Sequence, residues 1–374
     1  MASKHEKIII AASITLLSLT AIFLLFKIAA SPAAPSFSDK ITTMVPSSFL
    51  RHNAGDSPKL PETKTRPTTL LFGGDVMLSR HVNDKMEKYQ DYSWPFLKIA
   101  DYLNSADLTI INLESPFAEA KSYFVPTGSF MFKANPAAIA GLTISGVDLI
   151  TLANNHSLNQ GADGINETQK ILTEAGIKAI GAGENEAAAH NPAIFTVNEK
   201  RFGFLSYAYP EDNSVAAADR TGIAGMDIDK MAEDITKLKT EADVIVILMH
   251  AGEEYTTKPN KQQIAFAHAA IDSGADLVIG HHPHWPQIWE YYQDKPIIYS
   301  LGNLIFDQMW SKETSLGLTV ELSWDSGWQE IKFVPIKIRD YGQAEILEDG
   351  SEKDALFKNL GIPADGKIKS APQS

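Results

Sequence analysis

Short apolar runs rich in β-branched residues alternate along most of this chain with longer segments of helical periodicity. Six runs have the pattern of buried strands, at residues 68–72, 108–111, 147–152, 202–207, 244–248 and 277–279. Helical spacing falls between them at residues 167–175, 229–240 and 262–273. This order predicts an α/β fold with helices packed outside a central sheet layer. Later strand-like runs at 296–299, 315–322 and 330–338 predict an antiparallel portion.

The amino-terminal end predicts a membrane anchor. Residues 8–26 contain no charged side chain and follow Lys4 and Lys7. As a helix they span about 28 Å, close to the roughly 30 Å of a bilayer's hydrocarbon core. Because positive charge on the amino side favours the cytoplasm, we expect residues 1–30 to be a signal-anchor helix with the main domain extracellular. Cleavage near Ser31 is the alternative.

Three further segments follow the anchor. Residues 31–67 are rich in Pro, Ser, Thr and Ala, which predicts a linker. Residues 68–340 are long enough for one large domain with its own core. The remainder, 341–374, is expected to be a C-terminal extension, with a loosely docked helix and tail from about Asp349.

Amino-acid composition limits the classes of ligand that the chain can bind and the residue types that can hold a metal. The chain carries a net charge of −13, and residues 68–374 hold 42 Asp and Glu against 25 Lys and Arg. This acidic balance argues against nucleic acid, but an anionic substrate stays open because exposed charges beyond about 8 Å are largely screened. With no cysteine, any metal must be held by His, Asp, Glu or Asn.

Polar motifs follow five of the predicted strands. They are Gly73-Gly74-Asp75, Asn112-Leu113-Glu114, Asn154-Asn155-His156, His250-Ala251-Gly252 and Gly280-His281-His282-Pro283-His284. Because parallel strands of one sheet end at one edge, we expect these side chains to converge there. Carboxylate, amide and imidazole groups together suit a divalent ion such as Zn, Mn or Fe.

Each motif also has a purely structural interpretation. Gly-Gly-Asp is compatible with a tight turn and a helix N-cap, and Glu114 with a solvated loop acid. Asn154-Asn155 is compatible with a left-handed turn, His250 with a core histidine, and the last motif with a hydrogen-bonded polar loop. Coincidence of all five at successive strand ends favours a shared metal site.

These motifs, in this order, resemble those of the bacterial CapA family. The resemblance also includes Gly74-Asp75-Val76-Met77-Leu78, His250-Ala251-Gly252-Glu253-Glu254-Tyr255 and Ser300-Leu301-Gly302-Asn303, and it extends over residues 68–338. CapA proteins act in capsule biosynthesis and poly-γ-glutamate synthesis, and they are similar in fold to calcineurin-like metallophosphatases. The resemblance therefore implies an αββα sandwich of central mixed β-sheets flanked by helices.

The resemblance also implies roles for individual residues, with one or two divalent ions (Mn, Zn or Fe) as cofactor. Asp75 and His284 would hold a first metal, Glu114 would bridge, and His156 would be a general acid or substrate-polarising group. Asn155 would ligate through its amide oxygen, and His250 and His282 would hold the second metal.

Five other residues are candidates for substrate binding or for support of the ligands. Arg80 could grip a carboxylate or phosphate, with a solvated helix residue as the alternative. The other four, which could hydrogen-bond ligands or substrate, are Asn154, Glu254, Tyr255 and His281.

Two positions depart from the expected patterns. Met77 stands where metallophosphatases have a metal-binding His, so the first metal would lose a ligand. Asn159 stands where many CapA relatives have Asp. One-metal occupancy or weak binding is therefore compatible with this sequence.

Three functional hypotheses follow. The first is a membrane-anchored, extracellular protein of poly-γ-glutamate capsule synthesis, export or anchoring, with the polymer and membrane-bound synthase subunits as partners. In that case it could hydrolyse or transfer the polymer with a metal. The second is a surface metallophosphoesterase or nucleotidase. The third is a non-catalytic, polymer-binding scaffold of the synthase complex.

Overall fold

A computed structural model describes residues 66–210 and 213–369. The expected anchor at residues 1–30 and the expected linker up to residue 65 lie outside these ranges. Within them, no helix combines the length and apolar character needed to cross a membrane.

The described residues contain strands β1 to β17. In chain order these are Thr68–Val76, Leu108–Leu113, Leu149–Thr151, Lys178–Ile180, Ala182–Gly183, Ala193–Val197, Lys200–Ala208, Gly222–Ile223, Val244–His250, Leu277–His281, Trp289–Tyr292, Lys295–Ile298, Asn303–Ile305, Leu316–Trp324, Trp328–Arg339, Gln343–Ile346 and Lys367–Lys369. The α-helices are α1 to α8, at Arg80–Tyr89, Ala100–Leu103, Ile139–Ile144, Gly161–Glu174, Glu186–Ala189, Ile228–Leu238, Lys261–Ser273 and Ser351–Leu360.

Two large mixed sheets form the centre of the domain. The first has the order β16-β15-β14-β1-β2-β3-β4, with β13 paired to β1 and β17 paired to β15. The second has the order β11-β12-β10-β9-β7-β6, and β5 and β8 form a separate two-stranded sheet. Strands β1 to β4 run parallel to one another, as do β7, β9, β10 and β12.

Alternation along the strands shows how the layers stack. Leu70 and Phe72 of β1 share a core with Val246 and Leu248 of β9, so this core lies between the two sheets. Leu71, the residue between them, packs instead with α4 and other helices on the outer face of the first sheet. On β9, Ile245, Ile247 and Met249 likewise pack with α6 and α7 on the outer face of the second sheet. The αββα sandwich expected from the resemblance is therefore present.

The carboxyl-terminal segment is part of the domain rather than a loosely docked helix and tail. Strands β16 and β17 both pair with β15. Phe357 and Leu360 of α8 are buried, and they pack in the core between the sheets. The sequence expectation was wrong because the two anchoring apolar residues lie in an otherwise charged, aperiodic stretch.

Gly74 permits the close approach of two strands that places residues beside Asp75. A Cβ atom at this position would lie 1.9 Å from the carbonyl oxygen of Gly302. Any larger residue would therefore push β13 away from β1. With glycine, Asp75 is in register with Asn303 on one side and with Asn112 on the other.

Candidate metal centre

The five predicted motifs converge, but they come from two sheets rather than one. Asp75 and Glu114 lie at the carboxyl ends of β1 and β2 in the first sheet. His250 and His281 are the last residues of β9 and β10 in the second. The expectation of a single sheet edge was therefore wrong, because βαβ alternation does not reveal where one sheet stops and the next begins.

Asp75, Glu114 and His284 form the tightest cluster of ligand atoms. Each offers one ligand atom, and these atoms all lie within 4.8 Å of one another. Both carboxylates are 0% exposed, and the His284 ring is also buried. Nδ1 of His284 lies 3.4 Å from Oδ2 of Asp75, and Nε2 lies 3.8 Å from Oε1 of Glu114. The imidazole thus stands between the two acids.

The two acids are held in different electrostatic states. Burial acts to raise the pKa of Asp75, but the hydrogen bond from His284 and the nearby imidazoles outweigh it and hold this pKa below its ordinary value. Burial, followed by repulsion from Asp75, raises the pKa of Glu114 well above its usual range. Oε1 of Glu114 has no hydrogen-bond partner among the described residues. A positive charge beside Asp75 and Glu114 would stabilise the ionised forms of both carboxylates.

Asn155, His250 and His282 form an adjoining group. Oδ1 of Asn155 lies 3.0 Å from Nε2 of His250, and the rings of His250 and His282 are 4.9 Å apart. His282 and His284 have ring centroids 6.1 Å apart, so the two groups are continuous. Nδ1 of His282 is buried, and no described residue hydrogen-bonds to it. The six predicted ligands therefore lie in two adjoining groups, of which the first, Asp75, Glu114 and His284, has its ligand atoms within 4.8 Å of one another.

A buried amide network supports these ligands. Nδ2 of Asn154 donates to the carbonyl of Leu113 at 2.8 Å and to Oδ1 of Asn112 at 3.1 Å. Asn112 is thereby oriented so that its Nδ2 donates to Oδ1 of Asp75 at 2.8 Å. Nδ2 of Asn112 also lies 3.3 Å from Nδ1 of His250. Asn154 acts through its neighbours, and sequence reasoning gave no role to Asn112.

His156 lies beside the centre as a neutral imidazole. Its Nε2 is 3.7 Å from Oε1 of Glu114, and its ring packs 4.1 Å from that of Phe132. Burial, only partly offset by the bond between Nδ1 and Oδ1 of Asn159, lowers the pKa of His156 to about 4. With this pKa the ring stays neutral at pH 7, so a general-acid role would require a substrate charge that raises the pKa of His156.

His281 and Met77 form hydrogen bonds with backbone groups rather than with the candidate ligands. Nε2 of His281 lies 3.1 Å from the carbonyl oxygen of Gly73. Sδ of Met77 accepts a hydrogen bond from the backbone N–H of Ser79, and the side chain is buried in the helix-side core. Met77 therefore packs in the core rather than among the candidate ligands.

Backbone conformation is unusual at several residues of the site. Tyr255, His282 and His284 have φ values of 62°, 98° and 58°, and Arg80 has 51°. Side chains other than glycine seldom adopt this left-handed region, and such strain persists where the surrounding structure enforces it.

Arg80 is neither a solvated helix residue nor an open substrate grip. Its side chain is 7% exposed, and its guanidinium pairs with Asp307, which follows β13. The same guanidinium donates to the carbonyls of Thr127 and Ser129, and it lies 4.8 Å from the centre of the Phe132 ring. Arg80 thus ties the segment 119–132 to the wall of the site.

We expect Arg80→Lys to loosen this segment, because an ammonium cannot span Asp307 and both carbonyls. The loss should be about 1–2 kcal/mol in the free energy of unfolding, with faster protease cleavage within residues 119–132. Urea denaturation and mass mapping of limited digests measure both. Arg201→Lys, at an exposed pair with Asp243, is the control and should cost less than about 0.5 kcal/mol. Equal effects of the two variants would contradict the assignment.

Glu254 and Tyr255 form the outer edge of the site. Glu254 is exposed, whereas Tyr255 is partly buried, with its ring 6.1 Å from that of His284 and 4.7 Å from that of Trp310. Burial, then the hydrogen bond to Glu254, raises the pKa of Tyr255. Trp310 is 62% exposed. The rim of the site is thus aromatic and acidic.

The residues present fit a divalent cation. Two buried carboxylates, an amide oxygen and imidazole nitrogens are the ligand types that Zn, Mn or Fe take. Three buried side-chain atoms of these motifs, Oε1 of Glu114, Nδ1 of His281 and Nδ1 of His282, have no hydrogen-bond partner among the described residues. Such atoms are costly to bury unless something binds them.

Comparisons with known proteins agree with the resemblance. Residues 69–308 match a family model described as bacterial capsule synthesis protein PGA_cap. The capsule biosynthesis protein CapA of Bacillus anthracis is 31% identical over 300 residues, which cover 78% of this chain and 72% of that protein. The PGA biosynthesis protein CapA of Bacillus subtilis strain 168 is 26% identical over 314 residues, 83% and 82% of the two chains.

A solved structure is also similar at low identity. The NAD nucleotidase of Haemophilus influenzae is 14% identical, with a TM-score of 0.40, and the similarity covers 79% of this chain and 62% of that one. A TM-score at this level carries no argument about function.

Proposed function

Because the chain belongs to the bacterial capsule synthesis protein family, we propose that it acts in the synthesis, export or anchoring of a poly-γ-glutamate capsule. In this proposal residues 1–30 anchor it in the cell membrane and the domain lies outside. The names of the two CapA relatives support the pathway. The uncharged run at residues 8–26 supports the anchor.

The partners proposed are the polymer and the membrane-bound synthase subunits. A polymer assembled at the membrane must be received on its outer side, and a tethered domain is suited to that task. The polymer carries a carboxylate at every unit, so whatever binds it must offer positive charge.

The buried cluster of Asp75, Glu114 and His284 is the observation that carries the chemical part of the proposal. Glu254 adds a further acid at the rim, so without a cation the site would repel an anionic polymer. When bound, a divalent cation would act as a Lewis acid toward a carbonyl or phosphoryl oxygen. The chain's own contribution is to hold that ligand set, to exclude water by burial, and to present the neutral His156 beside it.

For a polymer amide the reaction would be hydrolysis or transfer. Water or another acceptor adds to the carbonyl carbon, the C–N bond breaks, and the leaving amine takes up a proton. In this proposal Nε2 of His156, 3.7 Å from Oε1 of Glu114, accepts a proton from the attacking group and returns it to the leaving amine, with a substrate charge raising the pKa of His156.

Asp75→Asn tests the proposal in a capsule-forming bacterium that lacks its own copy of this gene. We expect the wild-type gene to restore cell-bound poly-γ-glutamate and Asp75→Asn to leave it near the level of the deletion strain. Asp148→Asn is the control, because Asp148 accepts a backbone N–H from Thr109 at 2.8 Å away from the centre. Capsule is measured by extraction and acid hydrolysis to glutamate.

Two other outcomes would favour the alternative functions. Full capsule with Asp75→Asn, at normal protein level, would favour a non-catalytic scaffold; the replacement of the usual His by Met77 is the observation behind that alternative. Rapid Mn²⁺-dependent cleavage of simple phosphodiesters by the purified chain, with no change of capsule in the deletion strain, would favour a surface phosphoesterase.

A further inference from the structure

We infer that Asn303 is a positioning residue that orients the imidazole of His284 and keeps its Nδ1 proton away from the centre. The inference rests on the proposed metal centre, since a divalent cation binds an imidazole nitrogen that carries no proton. Asn303 touches neither cation nor substrate, and it acts through His284.

The amide of Asn303 has one orientation that its neighbours allow. Its Nδ2 donates to the backbone carbonyl of Thr314 at 2.9 Å, and a carbonyl can only accept. Oδ1 of Asn303 must therefore face His284, where it lies 3.0 Å from Nδ1. Asn303 is 0% exposed, so no solvent competes for this bond.

The orientation of the amide decides the tautomer of His284. An amide oxygen accepts, so Nδ1 of the neutral ring carries the proton and Nε2 does not. Nε2 is the atom that points toward Oε1 of Glu114, at 3.8 Å. The free nitrogen is thus presented to the cluster of acids.

Asp75 offers a second acceptor, but it cannot replace Asn303. Oδ2 of Asp75 lies 3.4 Å from Nδ1 of His284, longer than the bond to Asn303. Asp75 is itself a candidate ligand, so a bound cation would compete with the ring for its oxygens. Asn303 is then the acceptor that remains, as metal-binding histidines commonly require at the opposite nitrogen.

The hydrogen bonds continue outward in one direction. Nδ2 of Asn303 also donates to Oε1 of Gln308 at 3.2 Å, and Nε2 of Gln308 donates to the hydroxyl of Tyr255 at 3.3 Å. The Tyr255 hydroxyl hydrogen-bonds in turn to Glu254. Because a carboxylate accepts at the outer end, every N–H and O–H in the chain points away from His284. The donor direction is consistent only with a proton on Nδ1.

The tautomer can be read directly in the cation-free full chain. With ¹⁵N-labelled histidine, long-range ¹H–¹⁵N spectra distinguish a protonated Nδ1 from a protonated Nε2, and His284→Gln assigns the signal. We expect the Nδ1–H form of His284 at pH 7.5. An Nε2–H form in the wild-type chain would overturn the inference, and this measurement needs no variant of Asn303 to fold.

If Asn303 orients His284 for metal binding, its loss should weaken the affinity for Zn²⁺. By isothermal titration we expect Asn303→Leu to weaken Zn²⁺ binding by about 10–100-fold. Asn303→Asp keeps an oxygen toward Nδ1 but loses the donor to Thr314, so it should restore the affinity while remaining less stable in urea. Asn83→Leu, at another buried asparagine, in α1, should leave the affinity unchanged.

The outcomes separate this inference from the proposed function. Tight binding by a folded Asn303→Leu chain would overturn the positioning role even if the metal centre is real. Absence of Zn²⁺ and Mn²⁺ binding by the wild-type chain would contradict the metal centre, whereas an Nδ1–H signal would still support the orientation of His284 by Asn303.

Discussion

Glu114→Gln is expected to remove stabilisation of the chain by a divalent cation while leaving the cation-free chain at least as stable as wild type. Glu114 is fully buried beside Asp75, and one of its oxygens has no hydrogen-bond partner in the part of the chain that the structure describes. In the absence of a cation, burial and the negative charge of Asp75 both disfavour ionised Glu114. The pKa of Glu114 is therefore raised well above its usual range. Glutamine has the same shape and no charge, so this unfavourable contribution disappears.

With a cation present, we expect wild type to be more stable than Glu114→Gln. A ligand at 100 times its dissociation constant stabilises the folded state by about 2.7 kcal/mol, and we expect wild type to gain this amount from Mn²⁺ or Zn²⁺. Glu114→Gln loses a charged ligand and should bind at least about 100-fold more weakly, so its gain should fall below about 1 kcal/mol. Urea denaturation with EDTA and with metal measures the four free energies of unfolding.

The exposed Glu241 supplies the control, because Glu241→Gln should respond to the cation as wild type does. A Glu114→Gln chain that is strongly destabilised in EDTA would mean that Glu114 is a structural acid. Equal stabilisation of wild type and Glu114→Gln by metal would mean that the cation binds elsewhere.

Much of the fold could be predicted because its strands are buried on both faces. Continuous apolar runs such as 244–248 are easily recognised in the sequence, and each of the nine predicted runs overlaps a strand of the structure. The three predicted helices also match α4, α6 and α7. At α7 the sequence carries a capping box of Asn260 and Gln263 and a left-handed Gly274 at its end.

Short and edge strands were missed for a physical reason. Lys178–Ile180 and Asn303–Ile305 have three residues each, too few to show a period. The division into two sheets was also missed, since it depends on pairing between distant residues. Across this division Oδ1 of Asn155, which follows β3 of the first sheet, lies 3.0 Å from Nε2 of His250, the last residue of β9 in the second.

Ligand types could be predicted from the motifs, but the supporting residues could not. Asn112 and Asn303 flank Asp75 in register, and both carry amides that orient ligands. Both belong to motifs quoted for the resemblance, but asparagine there is equally typical of a turn, so those motifs assigned neither amide a role. Arg80 was ambiguous because Asp307, the residue that buries it, is 227 positions away.

Acid should destabilise the cation-free chain steeply between pH 6.5 and pH 4. Burial lowers the pKa values of His156 and His282 to about 4 each, whereas unfolded histidine titrates near about 6.5. Burial also lowers the pKa of His250. Between these limits the unfolded chain binds protons that the folded chain does not. Stability is therefore complete above about pH 6.5 and is lost as the pH falls, by up to about 1.4 kcal/mol per pH unit for each histidine.

Glu114 acts in the opposite direction within part of this window. Because its pKa is raised in the folded state, the folded chain takes up a proton there before the unfolded chain does, and this uptake favours folding as the pH falls. Set against His156 and His282 together, one such group leaves a net loss of up to about 1.4 kcal/mol per pH unit. Urea denaturation in EDTA at pH 7, 6 and 5 measures it, and equal stability at all three would contradict the burial of neutral imidazoles.

The Glu114→Gln chain shows whether the pH dependence of the free energy of unfolding arises at the metal centre. Glutamine cannot take up a proton, so the compensating contribution is absent and acid destabilisation should become steeper by up to about 1.4 kcal/mol per pH unit. His156→Gln should make it shallower, because one buried neutral imidazole is removed. Opposite changes of slope from two residues whose side-chain atoms lie 3.7 Å apart would not arise from a general loss of packing. They require a buried carboxyl and a buried imidazole that each resist charging in the absence of a cation.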